Sequence, residues 1–297
     1  MTTIDAPASA TRAPLGATRN PELPSVARLA LHAVIIVVVV LWLLPSVGVL
    51  ITSFRPPTDI SSSGWWTVLE HPNFTLDNYQ TVINAPGFWR TLFNSFIITI
   101  PAVIAPILIA SLAAFGFACT NFPGRNALFM VVIALMVVPI QMGFVPALHF
   151  FRTLSIGSGY GAIWIAHTAY ALPFAIFLLR SFFAQIPRDI LDAASVDGAS
   201  RFRTYWSIIL PLARPALASL AVLQFLWVWN DLLMALVFIQ KDELEPLTQT
   251  TAQLIGTYAQ QFNLLSASAV ILMIVPLFVF LALQKHFVRG LIAGAVK

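Results

Sequence analysis

Six stretches of this chain run for close to twenty residues or more with scarcely a charge: residues 29–51, 91–119, 127–148, 161–179, 216–239 and 264–284. A hydrocarbon core of ~30 Å takes ~20 helical residues to cross. Lipid offers no partner to a backbone N–H or C=O, so each stretch is expected to cross as a helix. Composition agrees. Charged residues make up 9% of the chain and hydrophobic ones 59%, against roughly 25% and 45–50% in soluble domains. The expected fold class is an all-α membrane protein with six transmembrane helices.

Residues 1–27, rich in Ala, Thr and Pro with Arg12 and Arg19, have too little apolar surface to offset ordering, and read as a flexible cytoplasmic tail ahead of a six-span domain over 28–297. The first span is longer than the ~7–15 residues of a signal h-region and no small-residue cleavage site follows it, so it is expected to stay in the membrane. Prolines recur within the spans, at Pro45, Pro101, Pro106, Pro139, Pro146, Pro173 and Pro276. Each removes a backbone bond, and packing curvature is the expected result for most.

Orientation follows from the basic residues. With the N-terminus inside, all of the 16 Lys and Arg fall on inner segments except Arg55, Arg90, Arg152 and Lys241, so both termini are expected in the cytoplasm. This bias accounts for the basic balance, and no basic stripe with interleaved aromatics supports nucleic-acid binding. Two outer segments are long, 52–90 and 241–263, and are expected to serve as docking surfaces or as interfacial loops anchored by Trp65 and Trp66.

The single cysteine, Cys119, excludes an intramolecular disulfide and a cysteine metal cluster. Five histidines, at 32, 71, 149, 167 and 286, lack ligand spacing, so no metal site is expected. No nucleophile–base–orienter set points to catalysis either.

The inner loop 181–215 is expected to fold as helix, turn, helix. Pro187 suits a first helical position and Asp189 complements the dipole at that end. Gly198 suits the C′ position, where a left-handed backbone penalises a side chain, and Ser200 can cap the second helix. Ile190, Leu191 and Ala194 share one face, and the small Ala193 and Ala194 allow close approach. That face either folds back on the chain's own spans or enters a partner, and the partner is the expectation.

This loop resembles the EAA loop of binding-protein-dependent ABC importers: E-A-A, three residues, G, nine residues, I, one residue, L-P. Asp192-Ala193-Ala194, Gly198, Ile208, Leu210 and Pro211 keep the spacing, with Asp192 where the family usually has Glu. Trp229-Asn230-Asp231 and the tail from Val288 to Lys297 extend the likeness to the smaller permease subunit of maltose-type systems. The resemblance implies a type I importer permease fold with a cytosolic coupling helix, in a bacterial cytoplasmic membrane. It implies as partners a sister permease, two ATP-binding subunits and an extracytoplasmic solute-binding protein. Asp189, Ile190, Leu191, Asp192, Ala193, Ala194, Asp197, Gly198, Ala199, Leu210 and Pro211 would then contact an ATPase, and 241–263 and 289–297 would be further contact segments.

The motor is expected on a partner. A P-loop needs Lys followed by Ser or Thr after a Gly-rich turn, and Lys241, Lys285 and Lys297 are followed by Asp, His and nothing. ATP and Mg therefore belong to the partner ATPase, and no cofactor is expected on this chain.

Asp231 is the only acid within a span, and burying it is expensive. On a continuous helix, Gln224, Trp227, Asn230 and Asp231 share a polar arc with an aromatic plate, suited to a sugar. Asn230 and Asp231 could equally bond to a sister subunit or to backbone freed at a kink. Gln141, His167 and Tyr170 could line the same cavity. A proton-coupled secondary sugar carrier using Asp231 and His167 is the rival, and its inverted repeats and further buried acids are not seen. A scaffold without transport would leave that arc unexplained. Among solutes carried by such importers, maltose-like oligosaccharides, α-glucosides, trehalose and glycerol phosphate all remain open.

Overall fold

The computed structural model describes residues 25–257 and 261–295, with side chains over 26–254 and 261–284. Most of the expected tail, and the side chains of the contact segment 289–297, lie outside the described residues. The helices, in chain order, are α1 (Ser25–Ser53), α2 (Pro57–Ser62), α3 (Asp77–Ile83), α4 (Phe88–Cys119), α5 (Arg125–Leu135), α6 (Phe144–Thr153), α7 (Tyr160–Phe183), α8 (Arg188–Val196), α9 (Arg201–Thr204), α10 (Leu210–Leu212), α11 (Arg214–Trp229), α12 (Leu233–Phe238), α13 (Leu247–Thr257) and α14 (Phe262–Ala295). Short 3₁₀ turns and one π-helical stretch, Tyr205–Ile209, join some of them, and the described residues contain no strand.

The chain divides into two units, Met1–Val47 and Gly48–Lys297. Of the first, α1 begins at Ser25, three residues inside the expected tail, and continues through Pro45. In it the His32 Nδ1–H donates to Arg28 O at 2.6 Å.

Among the described residues, four helices are long and apolar enough to cross a membrane: α1, α4, α7 and α14. The number rises to as many as six if each of two bent pairs forms one crossing. Arg125–Leu135 meets Ile140–Thr153 at 93°, and Arg201–Leu212 meets Arg214–Trp229 at 73°. The continuous helices expected over 127–148 and 216–239 are both interrupted, the first at the bend of its pair and the second beyond Trp229, apart from the bend at Ala213. In the first, Pro139 has no N–H to give and stands extended (φ −61°, ψ 117°), so the helix stops at Leu135 and restarts as a 3₁₀ turn, Ile140–Gly143. In the second, the helix stops at Trp229 and resumes at Leu233. With 16 residues, α11 reaches roughly 24 Å, short of the ~30 Å core, so it cannot complete a crossing alone.

In the second unit, α4 packs along α7 in the same direction, and α11 packs on α14 and α4. Alanines make the first contact close. Ala102 clusters with Ala162 and Ala166, and further along Ala110 and Ala114 cluster with Ala175, so the backbones approach without large side chains between them.

Proline inside these helices is compensated from the side. Pro101 cannot bond Ile97 O, and the indole Nε1 of Trp164 donates to that carbonyl at 3.0 Å. Pro106 frees Ala102 O, which accepts from Gln224 Nε2 at 3.3 Å. Pro276 frees Leu272 O, which accepts from Trp229 Nε1 at 3.1 Å. Each donor stands on a neighbouring helix. An unpaired carbonyl in an apolar interior costs about 1–3 kcal/mol, so these contacts hold both the kinked helix and its neighbour in register.

The opposite end from the α8 loop is built on buried polar groups. Asn78 Nδ2 donates to Ser53 O and Arg55 O, both at 2.9 Å, and Asn263 Nδ2 donates to Asn78 Oδ1 at 2.7 Å. Arg55, 1% exposed, donates to Gly64 O, Ser63 Oγ and Thr67 Oγ1. The segment after α12 is pinned to the start of α4. There Asn94 Nδ2 donates to Glu243 O and Glu245 O, while its Oδ1 accepts from Tyr160 Oη at 2.6 Å.

Candidate functional site

Both helix breaks open onto one cavity of about 480 Å³. Gln141 comes from the 3₁₀ turn after Pro139, His167 and Tyr170 from α7, and Gln224 and Trp227 from α11. Asp231 comes from the second break. The remaining wall is apolar, with Phe144, Phe174 and Met234 among it, and among the described residues no Lys or Arg lines it. The structure thus gathers six of the seven expected path residues around one space and leaves out Asn230.

The reason for that exception is local. Asn230 caps the end of α11, its Nδ2 donating to Leu226 O at 2.8 Å. One residue on, Asp231 Oδ1 accepts from Met234 N at 3.0 Å at the start of α12, as a helix-capping carboxylate does. The helical arc expected to carry all four polar residues therefore ends at Trp229. Trp229-Asn230-Asp231 works as a unit: the indole secures Leu272 O, the amide closes one helix, and the carboxylate opens the next.

Three details shape the cavity. Gly143 lets Tyr170 approach its backbone, since a Cβ there would fall 2.5 Å from Tyr170 Oη. Trp227 is half exposed and stacks obliquely on Phe174 at 5.2 Å between centroids. His167, 5% exposed, and Asp231 also line a separate small space of about 10 Å³ with Ser95, Thr99 and Thr248, near the room one water needs. Pro246, from the segment after α12, borders it too. That segment and the cavity therefore share a wall.

The inner loop folds as helix, turn, helix. Pro187 precedes the helix rather than starting it, its ψ of 134° being extended, and α8 begins at Arg188 with Asp189 in its first turn. Gly198 has φ +72°. Its N–H bonds Ser195 O at 3.1 Å and the Ala199 N–H bonds Ala194 O at 2.9 Å, the paired bonds that end a helix through a left-handed residue. Ser200 Oγ then accepts from Arg203 N at 3.3 Å and caps α9.

Ala194 is buried (4% exposed), and Leu191 packs on the cluster formed by α4, α7 and α11, so these two side chains turn toward the chain's own spans. Proximity decides it: α8 follows α7 after only four residues, and the apolar ends of α4 and α7 lie within reach. The open face carries Asp189, Asp192, Ala193 and Val196, spaced i, i+3, i+4 and i+7, with Val196 87% exposed. The second arm is anchored as well. The π-helical stretch buries Tyr205 and Ile209, and Tyr205 Oη lies 2.7 Å from Ser111 Oγ in α4.

An all-helical chain with four to six candidate membrane crossings, a cavity at two helix breaks and an anchored helical hairpin has the architecture of a membrane permease. Residues 87–293 match the family described as "Binding-protein-dependent transport system inner membrane component". The chain belongs to that family, as a non-catalytic permease subunit of a binding-protein-dependent ABC importer. It is 46% identical over 275 residues to "Osmoprotective compounds uptake permease protein GgtD" of Synechocystis sp., covering 91% of this chain and 92% of that protein. It is 47% identical over 239 residues to "Alpha-glucoside transport system permease protein AglG" of Rhizobium meliloti, covering 78% of this chain and 63% of that one. A solved chain of a bacterial ABC transporter involved in the import of the acidic polysaccharide alginate superposes with a TM-score of 0.76 at 21% identity. That match covers 90% of this chain and 99% of the other, and it shows the shared fold.

Sequence reasoning passed over Trp164, Gly143, Asn94 and Tyr160. The first two leave a faint trace, a Trp or Gly inside an apolar span, but their partners Ile97 O and Tyr170 are distant in sequence and no local pattern names them.

Proposed function

We propose that this subunit imports neutral sugars or sugar-like osmolytes, its cavity forming one half of a path completed by a sister permease. The convergence of Gln141, His167, Tyr170, Gln224, Trp227 and Asp231 on one space of about 480 Å³ carries this reading. An indole and a phenol offer stacking faces to a sugar's C–H surface, and amide and carboxylate groups answer its hydroxyls. With no Lys or Arg among the described residues of the lining, an anionic solute such as glycerol phosphate finds no counter-charge from them. The printed names of GgtD and AglG, for osmoprotective compounds and α-glucosides, agree with a neutral class.

The open face of α8 docks one of two partner ATPases on the cytoplasmic side, where both termini also lie, in a bacterial cytoplasmic membrane. Because α8 and Tyr205 are fixed to α4, α7 and α11, a displacement of α8 is transmitted to the spans around the cavity. Such coupling requires an element with two arrangements that both sites bias. On the outer side, the segment 241–263 receives the solute-binding protein, and its Pro246 borders the wall formed by His167 and Asp231.

Two variants in the assembled importer test the two halves. Trp227→Ala with Tyr170→Ala should lower uptake at least tenfold while the solute-loaded binding protein still stimulates ATP hydrolysis. Unchanged uptake removes the cavity from the path. Gly198→Val forces a β-branched residue to φ +72°, at a cost of about 1–2 kcal/mol, and should uncouple hydrolysis from uptake while the complex still assembles. Full coupling refutes the lever.

A further inference from the structure

Behind α8, on its membrane side, lies a second cavity of about 430 Å³ that the transport path does not use. Its walls come from the end of α4, the start of α5, the end of α7, α8 and α9. Four guanidiniums line it, those of Arg125, Arg180, Arg188 and Arg201, against one carboxylate, Asp192. Two of the four are held in position. Arg125 Nη1 donates to Thr120 O at 2.9 Å and Asn121 Oδ1 at 3.0 Å, and the Arg180 guanidinium lies 4.6 Å over the ring of Phe129. Arg188 and Arg201 are exposed at the rim, and among the described residues neither guanidinium has a hydrogen-bond or ion-pair partner. Thr120, Asn121, Ser195 and Thr204 add polar groups between them.

Positive charge on the inner face is ordinary for a membrane protein. A concave site into which four arginines from four segments converge is a more specific arrangement. Like charges repel at close range, so the cluster is stabilised when an anion enters. Arginine's planar fork fits the oxygens of a phosphate bidentately, and basic pockets between helices at the cytoplasmic headgroup level suit lipid phosphates.

We infer that this cavity binds a phosphate ester between α8 and its supporting spans. The inference rests on the orientation proposed above and is independent of the solute. The shared chemistry is an anionic phosphate, supplied by a lipid headgroup or by a soluble phosphate. An occupant joins α8 to α4 and α7 through its oxygens and stiffens the hairpin from behind, leaving Asp189, Ala193 and Val196 open to the partner.

The test uses the assembled importer, purified in detergent and exposed to equal amounts of phosphatidylglycerol and phosphatidylcholine, with native mass spectrometry reading retained lipid. Retention of phosphatidylglycerol over phosphatidylcholine, falling at least tenfold in an Arg188→Gln, Arg201→Gln double variant and unchanged in an Arg90→Gln, Arg152→Gln control on the opposite face, supports a lipid source. Binding of inorganic phosphate, lost in the same double variant without selective lipid retention, supports a soluble source. If neither probe binds, if the variant retains as much as the parent, or if binding appears only after the ATPases are stripped off, the cavity belongs to the docking interface and the inference fails. Assembly of the double variant with its partners, checked by size exclusion, separates loss of the site from loss of the fold. Failure of transport in the Trp227 and Tyr170 variants would leave this result untouched.

Discussion

The indole of Trp229 is the clearest place to measure what the side-donated hydrogen bonds contribute. Trp229 is 2% exposed, and its Nε1 lies 3.1 Å from Leu272 O, the carbonyl that Pro276 leaves without a helical partner. Trp229→Phe keeps an aromatic ring between Phe96 and Phe225, whose centroids lie 4.9 Å and 5.6 Å away, and removes the donor. An orphaned buried carbonyl costs about 1–3 kcal/mol, whereas hydrogen bonds between membrane helices average about 0.6 and reach about 1.7 kcal/mol. Pro276→Ala restores a backbone N–H that can bond Leu272 O itself. Trp229→Phe should therefore be milder by about 1 kcal/mol in the Pro276→Ala background than in the parent, within the measured membrane range. Unfolding of the four proteins in rising SDS, followed by far-UV circular dichroism, gives the double-mutant cycle directly. If the cost of Trp229→Phe is the same in both backgrounds to within ~0.3 kcal/mol, the indole is not serving the proline-freed carbonyl and the argument is wrong.

Gly143→Ala should push Tyr170 aside, because the new Cβ would sit 2.5 Å from its hydroxyl; uptake should show a raised KM, with Tyr170→Phe in the same chain restoring much of the loss. Asp231→Asn keeps a side chain that can cap α12 and removes the charge, whereas Asp231→Ala removes the cap at a cost of about 1 kcal/mol. If Asp231 is a scaffold, the Asn variant transports and the Ala variant is impaired; if the charge meets the solute, both lose uptake alike.

The membrane spans were legible because apolar length is a local property, and the hairpin was legible because Gly198, Ser200 and the EAA spacing are local too. The breaks were harder. Pro139 looks no different from Pro101 or Pro106 in the sequence, yet only Pro139 interrupts its helix. The difference lies in the neighbours: Trp164 and Gln224 reach the carbonyls freed in α4, and nothing near 139 in the sequence announces whether such a donor will arrive. The polar arc failed in the same way. A strict 100° rotation carries Asn230 and Asp231 onto the face of Gln224, but both side chains bond the backbone at the break and end the rotation the arc assumed. The two faces of α8 were distinguishable by pattern but not assignable, since only the fold shows that Leu191 and Ala194 meet the chain's own core.

That two-sidedness limits how the hairpin could be exchanged between related permeases. A transplanted segment brings its underside along, and Leu191, Ala194, Tyr205 and Ile209 must seat against whatever the recipient offers near Ser111 and the inner ends of α4 and α7. Grafts chosen by matching only the outward residues would present the right surface on a loose mount. Those that carry the matching bed beneath, or are restricted to Asp189, Asp192, Ala193 and Val196, should stay rigid.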